Sequence, residues 1–142
     1  MVLQEFTLLT LIQNKFSNMK TDIKGRSDIE FLINEFYKKV KNDDKIGHFF
    51  SHVVIVNWNK HLPIMYDFWE NILFHTGGYN GNPMEKHLNL NMKSPLRREH
   101  FERWTRLFDE TVDEHFSGGK AILIKQRALS IATVIQLKIF NS

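Results

Sequence analysis

What this sequence lacks narrows its function before any motif is considered. It contains no cysteine, which excludes disulfides, iron–sulfur clusters and thiolate-ligated haem and makes the reducing cytoplasm the simplest setting. Its lysines and arginines are scattered among acidic residues, for a net charge of +3. No block of like charge therefore marks a nucleic-acid-binding arm. The apolar run at residues 6–12 is too short to cross a bilayer, so we expect no membrane partner.

The composition that remains fits one globular domain. The chain has 142 residues, of which 42% are hydrophobic, and is rich in aromatic residues (Phe 12, Trp 3, Tyr 3). So many rings either fill a core or line a pocket for a large flat ligand. We expect the domain to span residues 19–142 after an N-terminal extension, residues 1–18, of unclear role. That extension is either a helical lead-in or sequence upstream of an alternative start at Met19. A secretory signal is not expected, because Glu5 stands where a basic region belongs and no small-residue cleavage site follows.

The first half of the domain predicts two helices. Ser27 and Glu30 form a capping-box pattern, which predicts a helix start at Ser27. Apolar residues then recur at helical spacing and predict one buried face: Ile29, Leu32, Ile33, Phe36, Tyr37 and Val40. A second helix is predicted from near Asn57 or Asn59 to Leu73. Its Pro63 suits only a first helical turn, so His61 should lie at the frayed start of this helix, where its side chain could swing.

The second half predicts three more helices. Pro83 follows a cluster of turn residues and is well placed to open a short helix that carries His87. Ser94-Pro95 predicts the start of a long helix that ends at Gly118-Gly119. The last helix should run from Lys120 to about Phe140, with apolar residues at helical spacing. No β pattern of useful length appears, and the fold class is predicted to be all-α.

Four polar-tipped side chains fall on otherwise apolar faces of four different elements: Tyr37, His61, His87 and Trp104. Each alone is most simply a buried residue with a hydrogen-bond partner, but one shared ligand would explain all four. A haem would place His87 on the iron and leave the other side to His61, Tyr37 and Trp104. Its apolar walls would be Phe50, Met65, Phe68 and Trp69.

Five blocks of sequence, in order over residues 20–140, then resemble a known family, the group III truncated haemoglobins. The blocks are Phe-Tyr-Lys-Lys-Val (36–40), Phe-Phe (49–50), Trp-Asn-Lys-His-Leu-Pro-Ile-Met-Tyr-Asp-Phe-Trp (58–69), Tyr-Asn-Gly-Asn-Pro-Met-Glu-Lys-His-Leu (79–88) and His-Phe-Glu-Arg-Trp (100–104). The resemblance implies a two-over-two helical sandwich around haem b. It also implies that His87 is the proximal iron ligand. The other matched positions are the polar distal residues Tyr37, His61 and Trp104, the stacked ring Phe50, and the apolar neighbour Met65.

The expected function is binding of O₂, NO and CO at this polar pocket. Two donors aimed at bound O₂ would hold it tightly, which favours nitric oxide dioxygenase-like or peroxidase-like chemistry, with an unidentified electron donor, over transport. Lys60 and Lys86 flank the key histidines and are candidate partners of the haem propionates. The alternatives are a simple oxygen carrier or sensor, a cofactor-free helical interaction domain, and a non-haem metal site that uses His48, His52 and one more histidine.

Overall fold

The computed structural model describes residues 7–8, 19–79 and 81–141, and the expectation for residues 1–18 lies almost wholly outside these ranges. From residue 19 onward the described chain forms five α-helices: α1 (Arg26–Lys41), α2 (Trp58–Phe74), α3 (Pro83–Lys93), α4 (Arg98–His115) and α5 (Gly119–Phe140). A single π-helical turn, Phe49–Val53, lies between α1 and α2. The described residues include no strand, and the prediction of an all-α fold is confirmed. None of these helices combines the length and apolarity needed to cross a bilayer.

The helices pack as two pairs that lie against each other. One pair is α1 with α2, and the other is α4 with α5. The pairs meet where α1 packs on α4 and where α2 packs on α5, while the short α3 packs on α5. This arrangement leaves α3, which carries His87, outside the two pairs.

The core forms where the predicted apolar faces meet. On α1 the predicted residues Ile29, Leu32, Ile33, Phe36 and Val40 are all buried. On α5 the buried set includes Ala121, Ile124, Ala128, Ile135 and Ile139. A stack of rings fills the centre, because Phe108 of α4 stacks on Trp69 of α2 at 5.0 Å and on Trp104 at 5.6 Å between ring centroids. Burial of these faces is the main stabilising contribution.

The predicted capping box at the start of α1 is wrong. The helix begins at Arg26, and Gly25 stands at the N-cap position without a side-chain cap. The carboxylate of Glu30 accepts from Arg26 Nε at 3.3 Å, and Arg26 also pairs with Asp67 of α2 at 2.6 Å. Glu30 is thus part of an ion-pair group that joins α1 to α2. The backbone amide ahead of the helix, that of Lys24, donates instead to Asp28 at 2.8 Å.

The predicted start of α4 at Ser94-Pro95 is also wrong. Ser94 ends α3, since its N–H donates to the carbonyl of Leu90 at 2.9 Å. The chain then stays extended until Arg97, whose N–H donates to His100 Nδ1 at 3.0 Å. The start of α4 is delayed because Leu96 is buried and its N–H donates to Asn91 Oδ1 of α3 at 2.7 Å.

The two glycines at 118 and 119 begin α5 and do not end α4, which stops at His115. Asp22, far away in sequence, supplies the cap, and its carboxylate accepts from the N–H groups of Lys120 and Ala121, both at 2.9 Å. A Cβ at Gly118 would lie 2.5 Å from Asp22 Cγ, and the φ of this residue is +145°. Glycine is therefore required for the close approach of the Asp22 cap.

Candidate functional site

His87 lies in the second turn of α3, as predicted from Pro83. Pro83 occupies the first helical position, and the side chain of Asn82 accepts from the N–H of Glu85 at 3.2 Å. His87 Nδ1 lies 2.6 Å from the carbonyl oxygen of Pro83. Burial lowers the pKa of His87, and the bond to Pro83 offsets only part of that effect. The neutral imidazole with Nδ1–H donated to Pro83 leaves Nε2 as the nitrogen able to coordinate a metal.

Tyr37, on α1, is surrounded by rings. Its ring centroid lies 5.2 Å from that of Trp58, 5.9 Å from that of His61 and 6.1 Å from that of Phe50, each in an edge-on arrangement. Burial raises the pKa of the Tyr37 phenol well above its usual range. Over the described chain its hydroxyl has no hydrogen-bond partner, so the O–H is a protonated donor available to a ligand.

His61 is brought next to Tyr37 and lies in the first turn of α2, as predicted. Because α2 begins at Trp58, the N–H of His61 donates to the carbonyl of Asn57 at 2.8 Å, whereas Pro63 lies inside the helix and not in its first turn. The side chain of His61 makes no hydrogen bond with the residues described, and the fraying of the backbone there stays a prediction. Burial, assisted by the positive charge of Lys86, lowers the pKa of His61.

Trp104, on α4, faces the same region through Phe36. The Phe36 ring lies edge-on to Trp104 at 5.5 Å and 5.3 Å from the ring of Tyr37. Trp104 stacks on Phe108 with an interplanar angle of 15°, which fixes the plane of the indole. Within the described ranges the indole N–H has no acceptor. The structure thus brings Tyr37 and His61 into contact and links Trp104 to Tyr37 through Phe36, and each of the three has an unused polar group within the described ranges.

The predicted apolar walls differ in burial. Trp69 is only 4% exposed and stacks on Phe108, so it belongs to the core. Phe50 and Met65 are partly buried against that core. Phe68 is also partly buried, and its ring lies edge-on to Tyr79 at 4.9 Å. The predicted wall residues therefore differ in burial, from Trp69 in the core to the partly buried Phe50, Met65 and Phe68.

The two predicted propionate partners, Lys60 and Lys86, are both exposed. Neither makes an ion pair with any residue that the structure describes. Lys86 is the better placed of the two with respect to the site, because its charge acts on His61.

Sequence reasoning assigned no role to Trp58, which the structure places in this site. Its ring contacts those of Tyr37, Phe50 and His61. The ammonium nitrogen of Lys41 lies 3.9 Å from the centroid of the Trp58 ring system. One signal could have found it, since residues three apart share a helical face and Trp58 precedes His61 by three.

The rival metal site at His48 and His52 gains no partners in the structure. His48 packs against Phe49 at 4.1 Å, and its other ring neighbour is His100 at 5.9 Å. Within residues 7–8, 19–79 and 81–141, no group of three or more His, Asp and Glu side chains is arranged to hold a metal ion.

Two surface cavities lie apart from Tyr37 and His61. A cavity of about 410 Å³ between α4 and α5 is lined by acidic side chains, among them Asp109, one of whose carboxylate oxygens is buried without a partner in the described chain. A cavity of about 630 Å³ lies between the end of α2, the start of α3 at Pro83 and one face of α5. Neither is lined by the four polar-tipped residues.

Comparison with known proteins adds two findings. The chain is 32% identical over 126 residues to a group 3 truncated hemoglobin, ctb, of Campylobacter jejuni, a match that covers 87% of this chain and 97% of that protein. The crystal structure of group III truncated hemoglobin from Campylobacter jejuni matches the fold with a TM-score of 0.74 at 31% identity, over 85% of this chain and 95% of that one. No family model matches the sequence.

Proposed function

The chain belongs to the group III truncated haemoglobins, and from that premise we propose that it holds O₂ tightly for a redox reaction with nitric oxide or peroxide. Membership implies a haem cofactor and the binding of diatomic gases. The finer proposal concerns how long O₂ is held and what is then done with it. A carrier must release O₂ readily, whereas a detoxifying protein must keep it until a second reactant arrives.

The chemistry of the candidate residues fits a haem. A neutral imidazole with Nδ1 bonded to the Pro83 carbonyl is the form that coordinates iron through Nε2. We propose that Phe50, Met65 and Phe68 form the apolar walls, that Trp69 supports them from behind, and that Lys60 and Lys86 bind the propionates. Haem b would supply an iron centre at which O₂, NO or CO binds. The chain supplies the ligand, the walls and the distal groups.

The observation that carries the proposal is the set of unused donors on the distal side. Tyr37 is kept protonated by its raised pKa, and neither its hydroxyl nor the indole N–H of Trp104 has a partner in the part of the chain described. We propose that both groups donate to the bound diatomic ligand, which becomes more negative when the ligand is O₂. Hydrogen bonds to charged groups are worth about 1.5–3 kcal/mol each, so two would slow O₂ release by about a hundredfold or more.

The proposed reactions both need electrons from outside the chain. Conversion of NO and O₂ to nitrate consumes one electron, and reduction of peroxide to water consumes two electrons and two protons. We therefore propose a separate electron donor as a partner. The exposed lysines near the site, Lys41, Lys60 and Lys86, make an acidic surface on that donor the favoured match.

An absorption spectrum of the purified protein reconstituted with haem tests the basis of the proposal. The wild type should show a strong Soret band, and His87→Ala should lose or shift it. The matched control is His52→Ala, which removes an exposed histidine and should leave the spectrum unchanged. A wild type that takes up no haem would contradict the proposal. Fast O₂ release from a haem-loaded protein would instead favour a carrier or sensor.

A further inference from the structure

We propose that Trp58 is a positioning residue that holds the imidazole of His61 over Tyr37, and that the ammonium group of Lys41 holds Trp58 in turn. This inference rests on the proposed function, since it concerns access to the same distal pocket. It assigns the control of ligand entry to a group of three side chains, of which His61 is the innermost.

Trp58 has the contacts that this role requires. Its ring lies edge-on to His61 at 5.7 Å with an interplanar angle of 79°, and edge-on to Tyr37 at 5.2 Å with an angle of 60°. On a further side it packs against Phe50 at 5.5 Å. Edge-on aromatic contacts favour one relative orientation, so Trp58 restricts the rotation of each ring that it touches.

His61 depends on such contacts because nothing else described in the structure holds its ring. Its backbone is fixed by the bond to Asn57, but its side chain has no hydrogen-bond partner among the residues described. Its ring neighbours are Trp58 and Tyr37. A ring that is held only by packing is released when one of the packing surfaces is removed.

Lys41 contacts Trp58 from the solvent-exposed side. It is the last residue of α1, and it is exposed, yet its ammonium nitrogen lies 3.9 Å from the centroid of the Trp58 ring system. A cation over the face of an indole is attracted by the ring quadrupole. This contact ties the end of α1 to the first residue of α2, across the outer side of Tyr37.

Loss of Trp58 should change the rate of ligand association more than the rate of ligand dissociation. With Trp58 in place, His61 blocks the space over Tyr37 and must move before a ligand enters. Loss of Trp58 frees His61 and should accelerate association. The donors of Tyr37 and Trp104 remain, so the dissociation of O₂ should change less.

The test measures CO association by flash photolysis in the haem-loaded protein. Trp58→Leu should speed association by about two- to tenfold, the range that one aromatic contact supplies. Trp58→Phe, which keeps a ring and safeguards against misfolding, should show a smaller change in the same direction. Lys41→Met should accelerate association by about two- to fivefold. The matched control Lys38→Met removes an exposed lysine of the same helix and should have no effect.

Two further measurements distinguish a positioning role of Trp58 from a purely structural one: the same substitution in the His61→Ala background, and the infrared spectrum of the CO complex. In His61→Ala the further change Trp58→Leu should have a much smaller effect on association, because only the contacts of Trp58 with Tyr37 and Phe50 then remain to be lost. The infrared C–O stretching bands of the CO complex should redistribute in Trp58→Leu but not when His61 is already absent. An equal effect of Trp58→Leu in both backgrounds would overturn the role assigned to Trp58 while leaving the proposed function intact. A wild type without haem would instead overturn the proposed function itself.

Discussion

Replacement of both Tyr37 and Trp104 by phenylalanine tests the distal donors directly. Tyr37→Phe removes one hydroxyl oxygen and keeps the ring, so the edge-on contacts with Phe50, Trp58 and His61 are retained. Trp104→Phe removes the indole N–H and also part of the stack on Phe108. The first change is therefore almost purely chemical, and the second has a packing component that must be measured separately.

The expected change in the O₂ dissociation rate follows from the absence of other partners for the two donors. Neither donor has a competing partner in the described chain, so each is free to bond to the ligand. Loss of about 1.5 kcal/mol per bond accelerates O₂ dissociation by about tenfold for each single variant. The double variant should dissociate O₂ about a hundredfold faster, with some departure from additivity because both groups bond to one ligand.

Stopped-flow displacement of O₂ by CO measures the dissociation rate, and CO dissociation is the internal control. Bound CO carries little negative charge, so its release should change much less than that of O₂. Thermal unfolding of each variant accounts for the packing lost at Trp104. An O₂ dissociation rate in the double variant within threefold of the wild type would refute the donor role of both residues.

Three further predictions concern the frame of the site and its entrance. Asp22→Ala should lower the free energy of unfolding by about 1–2 kcal/mol, the cost of losing a helix N-cap; burial alone would raise the pKa of Asp22, but its backbone N–H donors hold it below the ordinary value. The stabilisation by the ionised Asp22 carboxylate is present above about pH 4, and it is lost as the pH falls through the lowered pKa of the folded state. The denaturation curves of wild type and variant should therefore differ at neutral pH and converge in acid. Arg103→Met leaves the 5%-exposed carboxylate of Asp43, now 2.6 Å from Arg103, without its cation; a lower urea midpoint is expected, and an unchanged midpoint would contradict it. His61→Ala should change ligand association more than dissociation, and the reverse pattern would make His61 a stabiliser of the bound ligand.

The sequence predicted the helices well and their ends poorly. The buried faces of α1 and α5 were predicted because apolar spacing of 3.6 residues is a property of the segment itself. The start of α3 at Pro83 is equally local. The end of α4 was missed because its surroundings come from tertiary structure: the N–H of Ser117 donates to the carbonyl of Thr21, and Gly118 packs against Asp22. The starts of α1 and α4 were misplaced for a local reason, since the N–H of Lys24 donates to Asp28 and that of Arg97 donates to His100. Asp22 caps a helix almost a hundred residues away, and no local pattern at Gly118-Gly119 reveals it.

The residues of the candidate site also divide into those that the sequence identified and those that required the structure. Tyr37, His61, His87 and Trp104 stood out because each is a polar-tipped residue on an apolar face. The contacts of Trp58 could not be weighed from sequence alone, because they require the end of α1 to lie beside the first residue of α2. The position of Pro63 was misjudged for a different reason. Pro63 was taken to lie in the first turn, but the helix begins at Trp58 and continues through it.

Burial sets the protonation state of the distal pocket, and this yields a final prediction. It raises the pKa of Tyr37 above its ordinary value near 10 and lowers that of His61 below its ordinary value near 6.5. Both side chains are therefore neutral between about pH 7 and 9, with Tyr37 as a donor and His61 as an uncharged barrier. The rate of CO association should be flat across that interval and should change only as His61 gains a proton at lower pH. A transition centred between pH 7 and 9 would show that the pocket is wetter than its packing indicates, and the strength assigned to its hydrogen bonds would fall accordingly.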